Sequence, residues 1–287
     1  MPPWARKGRS MDGLVSGIDH VIAAVRDLDR AVETYRRLGF TPTDRGHHAQ
    51  LGTYNHLFMF AHDYFELIGV EHPGADNLRW QAVLADREGV SGIALATADA
   101  EASMAALRAR GLNPPAVSYF ARPVEVDGGL AEARFAAAYL PEVVTPVAPM
   151  FFCQHFTRDL VWRPEWQRHP NGATGVVEVM ALATDPAATA RAYTRLVGAE
   201  NIDGTAVKLG RHVLRIATED AITAWAGGVA PGVAAVTPRL AGVALRVASL
   251  ATTALHLQLA AVPYALTGDA IVVGPESACG AIIKFVA

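Results

Sequence analysis

One acidic side chain lies inside an apolar run in the first quarter of the chain. Glu66 is the only charged residue of YFELIGV, residues 64–70. A run of this composition is typical of a buried strand, and burying a carboxylate without a partner costs several kcal/mol. The pattern therefore indicates a cation close to Glu66.

A histidine lies in a second apolar run, GIDHVIAAV, residues 17–25. Side chains alternate between the two faces of a strand, so Ile18, His20 and Ile22 share one face. A lone histidine on such a face is commonly a core residue that hydrogen-bonds to a carbonyl. The carboxylate of Glu66 instead favours a functional role for His20.

Other reactive residue types give weaker patterns. His56, in NHLFMF, could face a cavity or solvent. Cys153 precedes Gln154 and His155, but no ordered Cys–His–acid set accompanies it, and buried strand cysteines are commonly inert. The glycine-rich segment 227–232 lacks the Lys-Ser/Thr ending of phosphate loops, so it is interpreted as a flexible connector and no nucleotide site is predicted.

The elements around His20 and Glu66 follow a simple order. The strand at residues 17–25 is followed by Asp27, a helix N-cap, and by apolar residues at helical spacing up to Gly39, which ends the helix. Turn residues and further extended apolar runs then lead to Glu66. This order predicts a βαβββ module.

The same order of elements returns three more times. First strands begin near residues 18, 90, 176 and 241, at spacings of 72, 86 and 65 residues. Two modules side by side can close an apolar concave face into a cup, so four modules give two cups. We therefore predict an α+β fold of four βαβββ modules paired into two half-barrel cups.

The boundary between the pairs is expected near residue 172. The segment 162–175 is rich in Pro, Gly and polar residues, as connectors are, and its HPNG sequence at residues 169–172 is typical of a turn that could also line the mouth of a cup. The predicted organisation is an N-terminal tail at 1–16, one pair of modules at 17–172 and a degenerate pair at 173–287.

Three stretches carry a family resemblance. The runs GIDHVIAAVRDLDRAVETYRRLGF, GTYN followed by YFELIGV, and FF…HPNGATG resemble the glyoxalase-like branch of the vicinal oxygen chelate superfamily, which includes glyoxalases, bleomycin resistance proteins and extradiol dioxygenases. The resemblance covers most of the chain. It implies a divalent metal ion (Fe, Mn, Ni or Zn) in the cup, with an ordinary His–Glu pair as the alternative.

The resemblance also assigns residues. It implies that His20 and Glu66 are metal ligands and that Asn55, within GTYN, contacts substrate. The second module has Gly92 at the place of His20, so one ligand is missing. On its last strand, FFCQHF, Gln154 is preferred as the third ligand, while His155 is one residue away on the opposite face; only one of the two should face the cup.

The remaining roles in the first cup follow from the same assignment. Glu66 and His56 are expected to be catalytic, and Phe58 and His155 to contact substrate. If His155 faces the cup, two histidines and one carboxylate would suit non-haem Fe(II) chemistry.

The second cup departs further from the family pattern. Glu178 and Gly242 stand at the places of His20, and the last strands show no acidic ligand. This half is expected to have lost its metal and to stabilise or oligomerise the protein; a homodimer is possible.

Two functions remain open at this stage. One is a metal-dependent lyase, isomerase or dioxygenase acting on a small oxygenated compound, with the ion as Lewis acid. The other is a metal-free protein that binds or sequesters a small molecule in the same cup, which the missing ligand at Gly92 favours.

Charge and composition restrict the classes of partner that the protein can bind. The formal net charge is −3 and no Lys/Arg block forms the basic stripe that nucleic acid requires. No run approaches the length of a membrane span, and no apolar signal-peptide core follows the basic residues at 6–9. Two cysteines are too few for a disulfide framework. We predict a cytoplasmic protein whose partner is a small molecule, with neither nucleic acid nor membrane.

Overall fold

A computed structural model describes residue 2, residues 14–229 and residues 238–287. Most of the predicted N-terminal tail and half of the predicted connector at 227–232, namely residues 230–232, lie outside the described residues. No helix in the described ranges is long and apolar enough to cross a membrane.

Sixteen strands form two eight-stranded sheets in the described residues. They are β1 Ile18–Ala24, β2 Gly46–His48, β3 Thr53–Met59, β4 Tyr64–Val70, β5 Gly89–Ala96, β6 Ser118–Val126, β7 Gly129–Tyr139, β8 Met150–His155, β9 Ala173–Leu182, β10 Ile202–Asp203, β11 Ala206–Leu209, β12 His212–Ala217, β13 Arg239–Val247, β14 Ala265–Thr267, β15 Ala270–Val273 and β16 Ile282–Val286. The orders are β2-β3-β4-β1-β5-β8-β7-β6 and β10-β11-β12-β9-β13-β16-β15-β14.

Seven α-helices accompany these strands in the described residues. They are α1 Leu28–Arg37, α2 Leu78–Asp86, α3 Ala100–Ala109, α4 Pro186–Ala192, α5 Thr194–Val197, α6 Glu219–Trp225 and α7 Leu250–Leu259. Short 3-10 helices lie at Ala75–Asn77, Glu142–Val144, Arg158–Leu160, Pro164–Gln167, Ala199–Asn201 and Pro275–Ser277.

Each sheet is a pair of modules joined through their first strands. β1 runs antiparallel to β5 and β9 antiparallel to β13, while the last strand of each module lies parallel to its first. The predicted α+β fold of four βαβββ modules in two cups is confirmed.

The four modules start their helices in the same way. A side-chain oxygen of the residue before the first turn accepts a hydrogen bond from the backbone N–H three residues later, as N-caps do. These caps are Asp27, Asp99, Asp185 and Ser249. In the first module the helix then buries Leu28, Ala31, Val32 and Tyr35, which matches the predicted spacing.

One core joins the two sheets. It contains the residues that point away from the cups, among them Val21 of β1 and Val243 of β13. The Tyr35 hydroxyl donates to the Ala278 carbonyl at 3.2 Å, and the rings of Phe40 and Phe285 lie 6.1 Å apart. The first sheet ends at His155 and the second begins at Ala173, but because the halves share a core, the division into domains stays a prediction.

The HPNG turn fastens the connector to the first module. The Leu38 carbonyl accepts from the Asn171 amide at 3.0 Å, and the Thr253 hydroxyl donates to the Asn171 carbonyl at 2.7 Å. His169 accepts from the backbone N–H of Thr41 at 3.0 Å and donates to the Met59 carbonyl at 2.9 Å. The turn therefore has a structural role, and its residues are not among those that line the first cup.

Candidate functional site

The first sheet curves around a cavity. Its walls are mainly apolar and aromatic, with a few buried polar groups: His20, Ile22, His48, Leu51, Thr53, Asn55, Leu57, Tyr64, Glu66, Ile68, Asp76, Trp80, Phe120, Arg122, Phe135, Ala137, Tyr139, Phe151, Cys153 and Val161. The empty volume is about 670 Å³, with the solvent space of the open mouth included. Mainly apolar walls with a few polar groups are typical of a small-molecule site.

The side chains of Asp19 and His20 contact each other, although side chains of consecutive residues on a strand usually point to opposite faces. The pairing of β1 with β5 shifts register between Ile18 and His20, which is the mark of a β-bulge that re-aims side chains. His20 Nδ1 lies 2.7 Å from Asp19 Oδ1, and both side chains are buried. A carboxylate oxygen can only accept here, so Nδ1 carries the proton.

The other nitrogen of His20 faces a second carboxylate. His20 Nε2 lies 3.4 Å from Glu66 Oε2. A neutral imidazole has one N–H, and it is already committed to Asp19, so an Nε2 lone pair faces a carboxylate oxygen. Two acceptors in a buried site need a cation between them, either a proton or a metal ion.

Asp19 binds a second histidine. His155 Nε2 lies 3.0 Å from Asp19 Oδ1. Burial raises the pKa of the Asp19 carboxyl, but the charge of His155 and hydrogen bonds from His155 and His20 outweigh burial and hold that pKa well below its usual range. Asp19 is therefore an anion that orients both imidazoles.

Two neighbours fix Glu66 and His20. Asn55 Nδ2 donates to Glu66 Oε1 at 2.5 Å, which leaves Oε2 toward His20. The Tyr64 ring stacks on the His20 ring at 4.3 Å. Burial, followed by the charge of Asp19, raises the pKa of the Tyr64 hydroxyl well above its usual value, so this phenol stays neutral.

Comparison with known proteins now identifies the family. The model of a glyoxalase-like domain family matches residues 18–197, which is more than half of the chain. The chain belongs to the glyoxalase-like domain family. The resemblance to the vicinal oxygen chelate superfamily is thereby confirmed.

Solved structures agree in fold with this glyoxalase-like protein. A hypothetical protein from Staphylococcus aureus matches with a TM-score of 0.64 at 16% identity, over 93% of this chain and 98% of that one. A triple mutant of 4-hydroxymandelate synthase from Streptomyces coelicolor matches with a TM-score of 0.55 at 11% identity, over 94% and 92%. At these identities the likeness shows the fold alone. A search of curated proteins found no match.

The resemblance implies four ligand positions in a cup, one on the first strand and one on the last strand of each module, and two of them carry no donor here. Aligning the helix caps places Gly92 at the position of His20. Ile22 pairs with Glu66 in the first module as Ala94 pairs with Phe151 in the second, so Phe151 takes the place of Glu66. A Cβ on Gly92 would lie 3.0 Å from the Trp80 ring, so Trp80 fills the space of the missing ligand.

The two donors that remain fit one metal ion. Two atoms that each lie about 2.1 Å from a tetrahedral ion are about 3.4 Å apart, and His20 Nε2 and Glu66 Oε2 are separated by 3.4 Å. Donor atoms of Asp19, His20 and Cys153 also lie within 4.8 Å of one another. Burial and the charge of Asp19 raise the pKa of the Cys153 thiol well above its usual value, so this thiol is protonated unless a cation reaches it.

The structure corrects the predicted positions of His56 and Phe58. On antiparallel β3 and β4, Leu57 lies opposite Glu66, so Asn55 and Leu57 face the cup and their neighbours face away. His56 Nδ1 contacts the Thr43 carbonyl at 2.8 Å, and burial lowers its pKa. Phe58 stacks on Tyr35 at 5.2 Å, in the core between the sheets. Strand alternation from Asn55 alone could have excluded both.

The predicted third ligand, Gln154, also faces away from the cup. Its side chain accepts from the Ala100 N–H at 2.9 Å and donates to the Ala98 carbonyl at 2.8 Å, at the start of α3. His155 points instead toward Asp19, so the choice of Gln154 over His155 is wrong. His155 is part of the buried cluster but is not among the residues that line the cavity.

The sequence interpretation missed two important groups. The sequence did not indicate Asp19, because strand alternation would place its side chain on the face opposite to that of His20. Only the bulge in the structure brings the two side chains together. Arg122 lies on β6 and lines the cup, but its segment shows no motif. The only sequence signal was a charged residue within an extended run, SYFARPVEV.

The second cup carries cations where ligands would be expected. By register, Arg215 and Lys284 stand at the places of Glu66, and Glu178 and Gly242 at those of His20. Arg215 Nε donates to Glu178 Oε2 at 2.7 Å. Two fixed positive charges disfavour a metal ion at these positions, and the loss of metal from this half stays a prediction.

Proposed function

We propose that the first cup is an active site that holds one divalent metal ion through His20 and Glu66 and acts on a small oxygenated organic compound. The observation that carries the proposal is the buried contact of His20 Nε2 with Glu66 Oε2 at 3.4 Å, while Nδ1 is committed to Asp19. A carboxylate behind a histidine is the usual arrangement that orients a metal-ligating imidazole.

The chain's own groups have distinct roles in this proposal. A bound divalent ion supplies a Lewis acid that polarises a substrate oxygen. Asp19 holds His20 in one tautomer and orientation, and Asn55 turns one oxygen of Glu66 toward His20. The apolar walls exclude water, which strengthens electrostatic interactions inside the cup.

The donor set favours a lyase or isomerase type of reaction. The two-histidine, one-carboxylate set of non-haem iron oxygenases would need a second imidazole beside His20 and Glu66. His155 is not among the residues that line the cup, whereas His20 and Glu66 are, so His20 is the imidazole that faces the cavity next to Glu66. His20 and Glu66 would hold the ion, which would supply Lewis-acid chemistry to an oxygenated substrate.

A metal-free binding protein is the second candidate. The observation in its favour is that Gly92 and Phe151 stand at two of the four ligand positions and that Trp80 occupies the space at Gly92. In this case a proton lies between His20 and Glu66, and the cup only holds its ligand.

Elemental analysis of tag-free protein purified without chelators separates the two candidates. We expect close to one equivalent of a divalent transition metal in the wild type and a loss of most of it in His20→Ala. The matched control is His56→Gln, on the other face of the same sheet, which should keep its metal. Metal-free wild-type protein that stays metal-free after incubation with each ion would contradict the proposal and favour the binding protein.

A further inference from the structure

Arg122 is a buried cation that forms neither a hydrogen bond nor an ion pair with the residues that the structure describes. The residue is 6% exposed. Its Cζ lies 5.9 Å from the centroid of the Phe135 ring, which is a weak contact. An arginine stays charged in a protein, and burial lowers the pKa of Arg122 more than Tyr64 and Glu66 raise it, so the cost of this burial is only partly offset.

The position of Arg122 is set by the closure of the cup. β2 and β6 are the two edge strands of the first sheet, and Gly46 of β2 lies against Arg122 of β6. A Cβ on Gly46 would lie 3.2 Å from Arg122 Nη1 and would clash with Asn55 Oδ1. Glycine therefore leaves room for the guanidinium at the seam, next to the amide that orients Glu66.

The other polar groups nearby do not satisfy the charge. Glu66 Oε1 accepts from Asn55 and Oε2 lies 3.4 Å from His20 Nε2, so the charge of Glu66 favours the charged form of Arg122 without an ion pair between the two side chains. Asn55 Oδ1 is itself a buried acceptor without a hydrogen-bond partner among the described residues. A guanidinium that is unpaired and lines a cavity is suited to a bidentate contact with a carboxylate.

The walls beside Arg122 are aromatic. Phe120 and Phe135 stack at 5.2 Å, and the His48 ring meets the edge of Phe120 at 5.8 Å. All three line the same cavity as Arg122. A ligand that reaches the guanidinium must therefore place an apolar body against these rings.

We propose that Arg122 binds the carboxylate of the cup's ligand, and that this ligand is a small monocarboxylate with an apolar body that packs against Phe120 and Phe135. The inference rests on the proposed function only in that the first cup is the ligand site; it does not depend on the metal. It names the substrate class that the proposed function leaves open.

Calorimetric titration of chelator-treated protein tests the proposal with two acids and their neutral amides as probes. Benzoate or hexanoate should bind the wild type saturably, and benzamide or hexanamide should bind about tenfold more weakly or worse. Arg122→Gln should weaken binding of the acid by about ten- to a hundredfold, because a charge-assisted contact is lost. Arg45→Gln, which removes a surface arginine paired with Asp29, should bind like the wild type.

Three results would overturn the assignment: binding of neither acid, equal binding of acid and amide, or unchanged acid binding in Arg122→Gln. If Arg122→Gln does not fold, two measurements still test the assignment. One compares the binding of acid and amide to the wild type, and the other measures the acid binding of Arg122→Lys, which we expect to be weaker than that of the wild type. If the protein binds the carboxylate but no metal, the proposed metal-dependent enzyme is contradicted and the role of Arg122 stands. If it binds metal but no carboxylate, only the role of Arg122 is contradicted.

Discussion

Replacing Asp19 by Asn should cost about 3 kcal/mol of folding free energy at pH 7 and lower metal affinity by about ten- to a hundredfold. The Asp19 carboxylate accepts from His20 Nδ1 at 2.7 Å and from His155 Nε2 at 3.0 Å. Both imidazoles contact Asp19 Oδ1, and an asparagine could keep an accepting oxygen at that place, but the neutral amide loses the negative charge that strengthens both hydrogen bonds. Because the pKa of Asp19 is depressed in the folded protein, its stabilisation is fully present above the unfolded pKa and is lost as the pH falls below it.

Urea denaturation and zinc titration measure the two effects of Asp19→Asn. Asp27→Asn is the matched control, because Asp27 caps α1 and Asn caps a helix about as well as Asp. We expect the control to change the free energy of unfolding by less than about 0.5 kcal/mol. If Asp19→Asn unfolds and binds zinc like the wild type, Asp19 does not orient His20.

Acidification from pH 7 to pH 4.5 should remove about 2 kcal/mol of stability through His169 alone. Burial lowers the pKa of His169 from 6.5 to about 4, although its bond to the Met59 carbonyl opposes this. Protonation would also remove the acceptor that Nδ1 presents to the Thr41 N–H. Since the unfolded chain binds the proton more tightly, stability falls as the pH drops below about 6.5 and levels off below about 4.

Free energies of unfolding at several pH values, compared between the wild type and His169→Gln, test this dependence. The variant is expected to be less stable at pH 7 and to lose about 2 kcal/mol less between pH 7 and 4.5. Parallel pH profiles for the two proteins would show that His169 is not the group responsible. His48, whose pKa burial lowers to about 3, remains in both proteins and adds the same background.

The fold was predictable because local signals repeat. Asp27, Asp99 and Asp185 each precede an apolar helical pattern, and each caps a helix in the structure. A single module would have been ambiguous, but four in a row restrict the possible sheets. The pairing of β1 with β5 then follows from the need to cover the open side of each module.

The site was predictable only in part, and the failures have physical reasons. His20, Asn55 and Glu66 lie in the cup because they alternate along regular strands. The Asp19 side chain reaches His20 because a bulge shifts the register of β1 against β5. The hydrophobic pattern of the sequence does not predict this bulge. Arg122 reaches the cup only because distant edge strands β2 and β6 meet at Gly46, a closure that no local segment of sequence encodes.

Metal titration of chelator-stripped wild type and Glu66→Gln, with Glu178→Gln as the matched control, tests the central claim most directly. Glu178 is a partly buried carboxylate on the first strand of the second cup, at the position that corresponds to His20, and it pairs with Arg215. The account predicts one saturable site in the wild type, an unchanged site in Glu178→Gln, and a loss of that site in Glu66→Gln. A wild type without a saturable site, or a Glu66→Gln protein that binds metal as the wild type does, would contradict the assignment of His20 and Glu66 as a metal-holding pair.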